Sequence, residues 1–297
     1  MVALRQRRNI LSLTLSEVSK LTAAFNTLKT SGTYDTFVRR HMNAMNIPMA
    51  QTSGNAAHSS PVFLPWHRAA LWEIEDALCK VDPSITALPY WKWEDEASLN
   101  AGLEKNSKLW TAAYLGTDGD STKGNRVLNG PFKNWKALIY TASTAAYAPR
   151  STVGLIRVLG RAANGTKTLP DAAQLADLNT YTVYDVAPWA KAANTFRGRL
   201  EGWSGPVRLH NQVHRWIGGD MEAGTSPNDP VFWLHHANID RIWWEWQNKT
   251  SPRRPYAPLD GGPAGLNAGD NMACLLGTWN PAAVQDITAP GLNYEYV

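Results

Sequence analysis

Cysteine is scarce in this sequence, with only Cys79 and Cys274 among 297 residues. Two cysteines exclude a disulfide framework and a cysteine-rich metal site. They leave room for a single bridge, although Cys79 lies in a helical pattern and fits the role of a small core residue. Long apolar runs are also missing, because no stretch reaches the roughly 18 apolar residues that a membrane-spanning helix needs.

The sequence also lacks a targeting segment and a nucleic-acid-binding pattern. Its N-terminal basic residues are followed by only a short apolar run at residues 9–13, too short for the apolar region of a signal peptide. We therefore expect the chain to stay in the cytoplasm, unless it is exported together with a partner. Lys and Arg are scattered, and binding to nucleic acid would need a clustered basic face.

The composition is that of a globular protein, with 44% hydrophobic residues, 18% charged residues and a net charge of +4. A chain of 297 residues is long for one domain, but single domains of this size occur. No internal repeat, low-complexity tract or flexible linker divides it. We therefore expect one domain over residues 1–297.

Hydrophobic periodicity and capping patterns predict the main helices. A capping box at residues 14–17 opens a helix that extends to about residue 28, and a second helix covers about residues 34–45. A third opens at residues 65–67, and a fourth begins at His210 and is stopped by Gly218-Gly219. The last has Asp229 as N-cap and Pro230 at its first position, and it continues through Trp246. The predicted fold is mainly α, with a four-helix bundle core surrounded by long loops and a few short strands.

The remaining stretches show little periodicity. Residues 95–190 are rich in Gly, Thr, Asn and Ala, which predicts long loops, short helices and a small β element. The tail from Thr250 onward is rich in Pro and Gly, and we expect it to wrap the surface.

The seven histidines stand in two windows, and the long stretch between His67 and His210 contains none. Neutral imidazole is a ligand for copper, zinc, iron and nickel, whereas thiolate-rich sites select other metals. Two sets of three histidines with almost no cysteine nearby predict a binuclear metal site, and copper is the metal we expect. The first set is His41, His58 and His67, and the second is drawn from His210, His214, His235 and His236.

The spacing in the second window indicates which residues bind together. His210 and His214 are four apart on a helix, so both imidazoles project from one face. A zinc peptidase would have Glu after the first of these histidines, but this chain has Asn211. Because adjacent helical residues point about 100° apart, His235 and His236 are not expected to bind the same ion, and His236 is the expected third ligand.

Several longer runs resemble the copper-binding regions of tyrosinases, most closely the bacterial ones. In the first region the runs are residues 34–41 (YDTFVRRH), 63–68 (FLPWHR) and 88–93 (LPYWKW). In the second they are residues 209–216 (LHNQVHRW) and 226–241 (SPNDPVFWLHHANIDR). The resemblance covers nearly the whole chain. It implies two copper ions and O2 as co-substrate, with ortho-hydroxylation of monophenols and oxidation of o-diphenols to o-quinones.

Residue by residue, the resemblance implies that copper A is bound by His41, His58 and His67, and copper B by His210, His214 and His236. Glu201 matches a carboxylate that helps to hold a water molecule near copper in related enzymes, and Asn211 matches an asparagine associated with hydroxylation. The alternatives are a surface salt bridge for Glu201 and a helix-surface amide for Asn211.

Four further residues are candidates for the surroundings of the metals. Phe232 matches an aromatic residue that braces the copper B ligands, although it would also fit an ordinary core. Arg215 is placed to steer substrate carboxylates or to make a structural ion pair. We expect the pocket shape around Ile217 and Gly224 to govern substrate choice.

The resemblance also has implications for a shielding domain, a helper protein and the substrate. The chain ends in Tyr294-Glu295-Tyr296-Val297, like the end of the family's catalytic domain, so we expect no C-terminal shielding domain. Some bacterial relatives need a helper protein that loads copper. The expected substrate is a small phenol, and the oligomeric state stays open.

Two other functions remain compatible with the same metal centre. One is an oxidase of o-aminophenols or catechols with little activity on monophenols. The other is a reversible oxygen carrier, because hemocyanins have the same dicopper centre.

Overall fold

The computed structural model describes residues 4–49, 52–97, 103–161, 163, 166–205 and 209–297. The helices in this part of the chain are α1 (Leu15–Thr30), α2 (Thr33–Met45), α3 (Phe63–Val81), α4 (Trp93–Ala97), α5 (Ala172–Leu178), α6 (Phe196–Glu201), α7 (Leu209–Ile217) and α8 (Val231–Gln247). The strands are β1 (Arg5–Arg7), β2 (Leu138–Thr141), β3 (Ala146–Pro149) and β4 (Tyr294–Tyr296). The prediction of a mainly α fold with a few short strands is confirmed.

Local sequence explains where these helices begin. The Thr14 hydroxyl accepts the Glu17 backbone N–H and the Glu17 carboxylate accepts the Thr14 N–H, so the predicted capping box opens α1. Helix α3 begins at Phe63, two residues before the predicted start, and Pro65 is tolerated because it lies in the first turn. Helix α8 begins one residue later than predicted, and Pro230 precedes it. The Asp229 carboxylate still accepts the Val231 N–H at 3.1 Å.

The core lies where the histidine-bearing helices meet. Helix α3 packs against α8, α7 packs against α8, and α1 covers α2 and α3. Nearly every residue of α8 is buried, which agrees with its apolar residues on most sides. The four helices that carry histidines are α2, α3, α7 and α8.

The strands form two small sheets. Strands β2 and β3 pair antiparallel, which supplies the small β element expected within residues 95–190. Strand β1 pairs in parallel with β4, with Arg5 opposite Tyr294 and Arg7 opposite Tyr296. The expectation that the tail merely wraps the surface is therefore wrong in part, because Tyr256, Ile287 and Tyr294 are buried in the core.

Both cysteines are free and half-buried, so the single bridge that the sequence allowed does not form. Within the described residues, no helix combines the length and the apolar character needed to cross a membrane.

Candidate metal centre

Two groups of histidines meet inside the bundle. The first group is His41 from α2, His58 from the loop before α3, and His67 from α3; the second is His210 and His214 from α7 with His235 and His236 from α8. Within each group, potential ligand atoms lie within 4.8 Å of one another. The rings of His67 and His236 stack across the two groups at 4.2 Å between centroids.

The loop that carries His58 is held by specific hydrogen bonds. The Asn55 side chain accepts the backbone N–H groups of Ala57 (3.1 Å) and His58 (2.8 Å). Ser59 adopts a positive φ of 58°, and its N–H donates to the Glu201 carboxylate at 2.6 Å. A short polar side chain and a buried carboxylate thus position the one histidine of the first group that is not on a helix.

Backbone carbonyls orient most of the imidazoles. The Nδ1 atoms of three rings lie close to carbonyl oxygens: His41 to Gly224 (2.7 Å), His67 to Phe63 (2.8 Å) and His214 to Met221 (2.6 Å). Because a carbonyl only accepts, each Nδ1 carries the proton and each Nε2 presents a lone pair. This is how proteins usually hold metal-binding histidines.

His210 follows the same rule. Its Nδ1 has two acceptors, the Glu201 carbonyl at 3.3 Å and the Asn211 side-chain oxygen at 3.0 Å. Its Nε2 is therefore unprotonated as well. Of the two residues singled out for proton chemistry, Asn211 contacts this ring through its side chain and Glu201 only through its backbone carbonyl.

The Nε2 atoms converge in a way that fits a cation. His236 Nε2 lies 3.3 Å from His210 Nε2 and 3.4 Å from His214 Nε2. The unprotonated Nε2 atoms of His210 and His214 thus both lie against His236 Nε2, and a metal ion bound among the three atoms would use all of them as ligands. In the first group, the Nε2 atoms of His41 and His67 are buried and have no hydrogen-bond partner among the described residues, which is costly unless they bind a metal. The all-imidazole donor sets suit copper.

The ring orientation of His235 distinguishes it from His236. The His235 ring is nearly parallel to that of His210, with an interplanar angle of 22° and centroids 5.2 Å apart. An imidazole binds a metal along an in-plane lone pair, so nearly parallel rings are poorly oriented to share one ion, although both His235 nitrogens are buried without a hydrogen-bond partner among the described residues. His67 and His236, which stack in the same manner, belong to different groups.

Burial keeps these histidines neutral. It is the largest cause that lowers the pKa of His41 and of His214 to about 4, and it also lowers the pKa of His58, His67 and His210. The neutral imidazole is the form that binds a metal ion.

Two phenylalanines pack between the groups. The Phe232 ring contacts His41 at 5.1 Å and His236 at 4.2 Å between centroids, so it supports both groups and not only the second. Phe63 contacts His67 at 5.0 Å and His210 at 4.9 Å. Phe63 was not among the predicted site residues, although it lies four residues before His67 and therefore on the same helix face.

The Glu201 carboxylate is completely buried. It accepts the Ser59 N–H and lies 3.4 Å from Arg197 Nη1. The surface salt bridge that was the alternative is therefore wrong, because this pair is internal. Burial raises the pKa of Glu201, while Arg197 and the Ser59 N–H oppose that rise.

An open cavity lies over the histidines, and its wall includes His41, His58, His210 and His214. Three residues that the sequence analysis singled out line this cavity: Asn211, Arg215 and Gly224. Ile217 does not line it, because it is fully buried in the core and its carbonyl accepts the Val158 N–H. Its expected part in shaping the pocket is corrected accordingly.

The cavity wall also contains residues that sequence reasoning missed, including Met45, Lys191, Trp203 and Met221. The Lys191 ammonium lies 3.5 Å from the centroid of the Trp203 ring. Lys191 and Trp203 come from irregular segments, where no periodicity indicated their position.

Comparison with known proteins agrees with this centre. Residues 31–249 match the family model described as the common central domain of tyrosinase. The chain is 41% identical to a tyrosinase of Streptomyces antibioticus over 95% of this chain and 96% of that protein. It is 40% identical to a tyrosinase of Streptomyces glaucescens, with 98% of each covered. Its fold is similar to that of a mutant polyphenol oxidase from Thermothelomyces thermophila, with a TM-score of 0.74, 26% identity, and coverage of 99% of this chain and 89% of that one. The chain belongs to the tyrosinase family of copper-dependent oxidoreductases.

Proposed function

We propose that the chain hydroxylates monophenols to o-diphenols and oxidises o-diphenols to o-quinones with O2. His41, His58 and His67 would hold one copper ion, and His210, His214 and His236 the other. The observation that carries this proposal is the convergence of the histidine Nε2 atoms of His210, His214 and His236 beneath an open cavity. The copper pair supplies the redox chemistry with O2, and the surrounding residues bind the phenol and move its proton.

Proton removal is assigned to Glu201 and Asn211. A phenol must lose its hydroxyl proton to become a good metal ligand, and a positioned base contributes about 10²- to 10⁴-fold. Asn211 lines the cavity, and its buried Nδ2 has no hydrogen-bond partner among the described residues. Asn211 contacts His210 Nδ1 through its side-chain oxygen, and Glu201 contacts it through its backbone carbonyl. The Glu201 carboxylate is held by the Ser59 N–H, next to His58. We assign them a shared water molecule that accepts the phenolic proton.

Positive charge on the cavity wall favours phenols that carry a carboxylate. Arg215 and Lys191 both line the cavity. No ion pair found among the described residues involves Arg215, and the acidic residue Glu222 lines the same cavity. The Arg215 guanidinium is thus available to an anionic substituent of a bound substrate.

Oxygen uptake by the copper-loaded protein tests the proposed activity. A monophenol, a catechol and an o-aminophenol would be compared at equal concentrations. We expect uptake with the monophenol and the catechol. Uptake with only the catechol or the o-aminophenol would support the narrower oxidase, and reversible O2 binding without turnover of any substrate would support an oxygen carrier. Identity of 41% to a tyrosinase over 95% of the chain favours the enzyme over the carrier.

Replacing Asn211 by Ala should reduce kcat/KM for the monophenol by at least about 10-fold and affect the catechol less. The catechol is oxidised without the hydroxylation step, so it depends less on this proton acceptor. Gln212→Ala is a matched control, since Gln212 follows on the same helix and donates to the Thr168 carbonyl instead. Equal losses on both substrates would contradict the proposed role.

Arg215→Gln should lower kcat/KM for a carboxylate-bearing monophenol by about 2- to 5-fold, the size expected for a partly exposed ion pair. The neutral amide of the same phenol serves as control and should change little. The two substrates are compared by steady-state kinetics at low and high salt, because screening weakens such a contact. A parallel loss on the neutral amide would show that Arg215 supports the pocket rather than the carboxylate.

We further propose that a helper protein loads copper. The proposal rests on the resemblance to bacterial tyrosinases and on the burial of five of the seven histidines.

A further inference from the structure

Two methionine sulfurs converge beside the first histidine group. A Cβ placed on Gly224 would lie 2.6 Å from the Sδ atom of Met42 and 3.0 Å from that of Met45. The two sulfurs therefore approach the same point next to the Gly224 backbone. Met42 and Met45 are three residues apart on α2, so they share one face of that helix.

This point adjoins both the cavity and a proposed copper ligand. Met45 and Gly224 line the cavity together with His41. His41 Nδ1 donates to the Gly224 carbonyl at 2.7 Å. Met45 is one helical turn from His41 and lines the cavity, and Met42 is the residue that follows His41 on α2.

Backbone conformation does not explain the glycine at position 224. Gly224 is not among the glycines with a positive φ, so an L-amino acid could adopt its backbone angles. A side chain at this position would have to displace the two sulfurs, which lie near the ends of flexible side chains. With glycine here, both thioethers can lie against the backbone of residue 224.

Thioether sulfur is a soft ligand that selects Cu(I) over the harder cations. A thioether carries no ionisable proton, so it can bind the ion without first being deprotonated. Methionine is unbranched and has three rotatable bonds, which allows the two sulfurs to close on an ion and release it again.

We infer that Met42 and Met45 form a thioether site that captures Cu(I) from the cavity and passes it to His41. The transfer is a ligand exchange: copper–sulfur bonds break as copper–nitrogen bonds form, and no electron is transferred. The inference rests on the proposed function, because it requires a copper ion at the first histidine group.

The test is the rate at which the copper-free protein takes up Cu(I) from a coloured chelator complex without oxygen. Met42→Leu/Met45→Leu is the test variant, and Met272→Leu is its control, since Met272 lies outside the cavity wall. Exchanges of Met for Leu conserve volume and usually cost less than about 1.5 kcal/mol, so folding should be retained. We expect uptake to slow at least about 10-fold in the double variant, with two copper ions bound at the end as in the wild type.

Uptake by the double variant at the wild-type rate would overturn the inference. A final copper content of the double variant below that of the wild type would also overturn it, because the methionines would then be permanent copper ligands and not a transfer site. If the wild type itself fails to bind two copper ions, the proposed function fails first. X-ray absorption of His41→Asn loaded with Cu(I) gives a second readout. It should show copper–sulfur scattering that disappears when Met42 and Met45 are also replaced, and a signal without sulfur would contradict the site.

Discussion

His236→Asn should lower the copper content from two ions per chain to about one and reduce oxygen uptake with any phenol by more than about 100-fold. Losing only a partner outside the coordination sphere already costs about 10- to 100-fold, and His236 supplies the Nε2 atom that meets those of both His210 and His214. Copper content is measured by elemental analysis, and folding of the copper-free protein by circular dichroism.

His235→Asn is the matched control for this experiment. Both residues are buried and adjacent on α8, but the ring of His235 lies nearly parallel to that of His210. We expect His235→Asn to retain two copper ions and measurable turnover. If His235→Asn lost one ion and His236→Asn kept both, the ligand assignment at this pair would be reversed.

Thermal unfolding offers a readout that does not depend on turnover. A ligand that binds only the folded state stabilises it in proportion to the logarithm of its concentration. Added copper should therefore raise Tm less in His236→Asn than in the wild type or in His235→Asn. An equal rise in all three proteins would mean that His236 contributes little to binding.

The sequence predicted the helical frame and the identity of the candidate ligands, because both depend on local spacing. His210 and His214 are separated by one helical turn, and the capping box at Thr14 involves only neighbours in sequence. In contrast, the carbonyls of Gly224 and Met221 that orient His41 and His214 come from a segment with no periodicity. Their role depends on how loops pack in three dimensions.

The errors have the same origin. Ile217 was expected to shape the pocket, but its side chain is fully buried in the core. The tail was expected on the surface because it is rich in Pro and Gly. Only its pairing with β1, nearly the whole chain away in sequence, brings Tyr294 into the interior.

Pairing of β1 with β4 places both terminal strands next to Asp240, where we expect the second large mutational effect. Asp240 lies one turn after His236 on α8 and is almost completely buried. Its carboxylate accepts the hydroxyls of Tyr294 and Tyr296, both at 2.6 Å, and pairs with Arg68 on α3 and Arg7 on β1. Burial and the nearby Asp240 raise the pKa of both tyrosines, so their hydroxyls stay protonated as donors.

Asp240→Ala should lower the free energy of unfolding by about 3–5 kcal/mol, the range for removing one partner of a buried ion pair. The reason is that the substitution leaves two buried guanidinium groups and two hydroxyls without their shared acceptor. Urea denaturation measures the loss, and Asp260→Ala, at an exposed aspartate, should change stability by no more than about 0.5 kcal/mol.

The position of Asp240 links this stability to the metal centre. Arg68 follows His67 directly on α3, and it also donates to the Gln247 side chain at 3.0 Å and to the Val284 carbonyl at 2.9 Å. Asp240 therefore joins the two helices that carry His67 and His236 to both terminal strands. We expect Asp240→Ala to weaken copper retention against a chelator as well as stability. A variant that lost stability but kept copper as tightly as the wild type would show that the terminal strands support the fold without positioning the histidines.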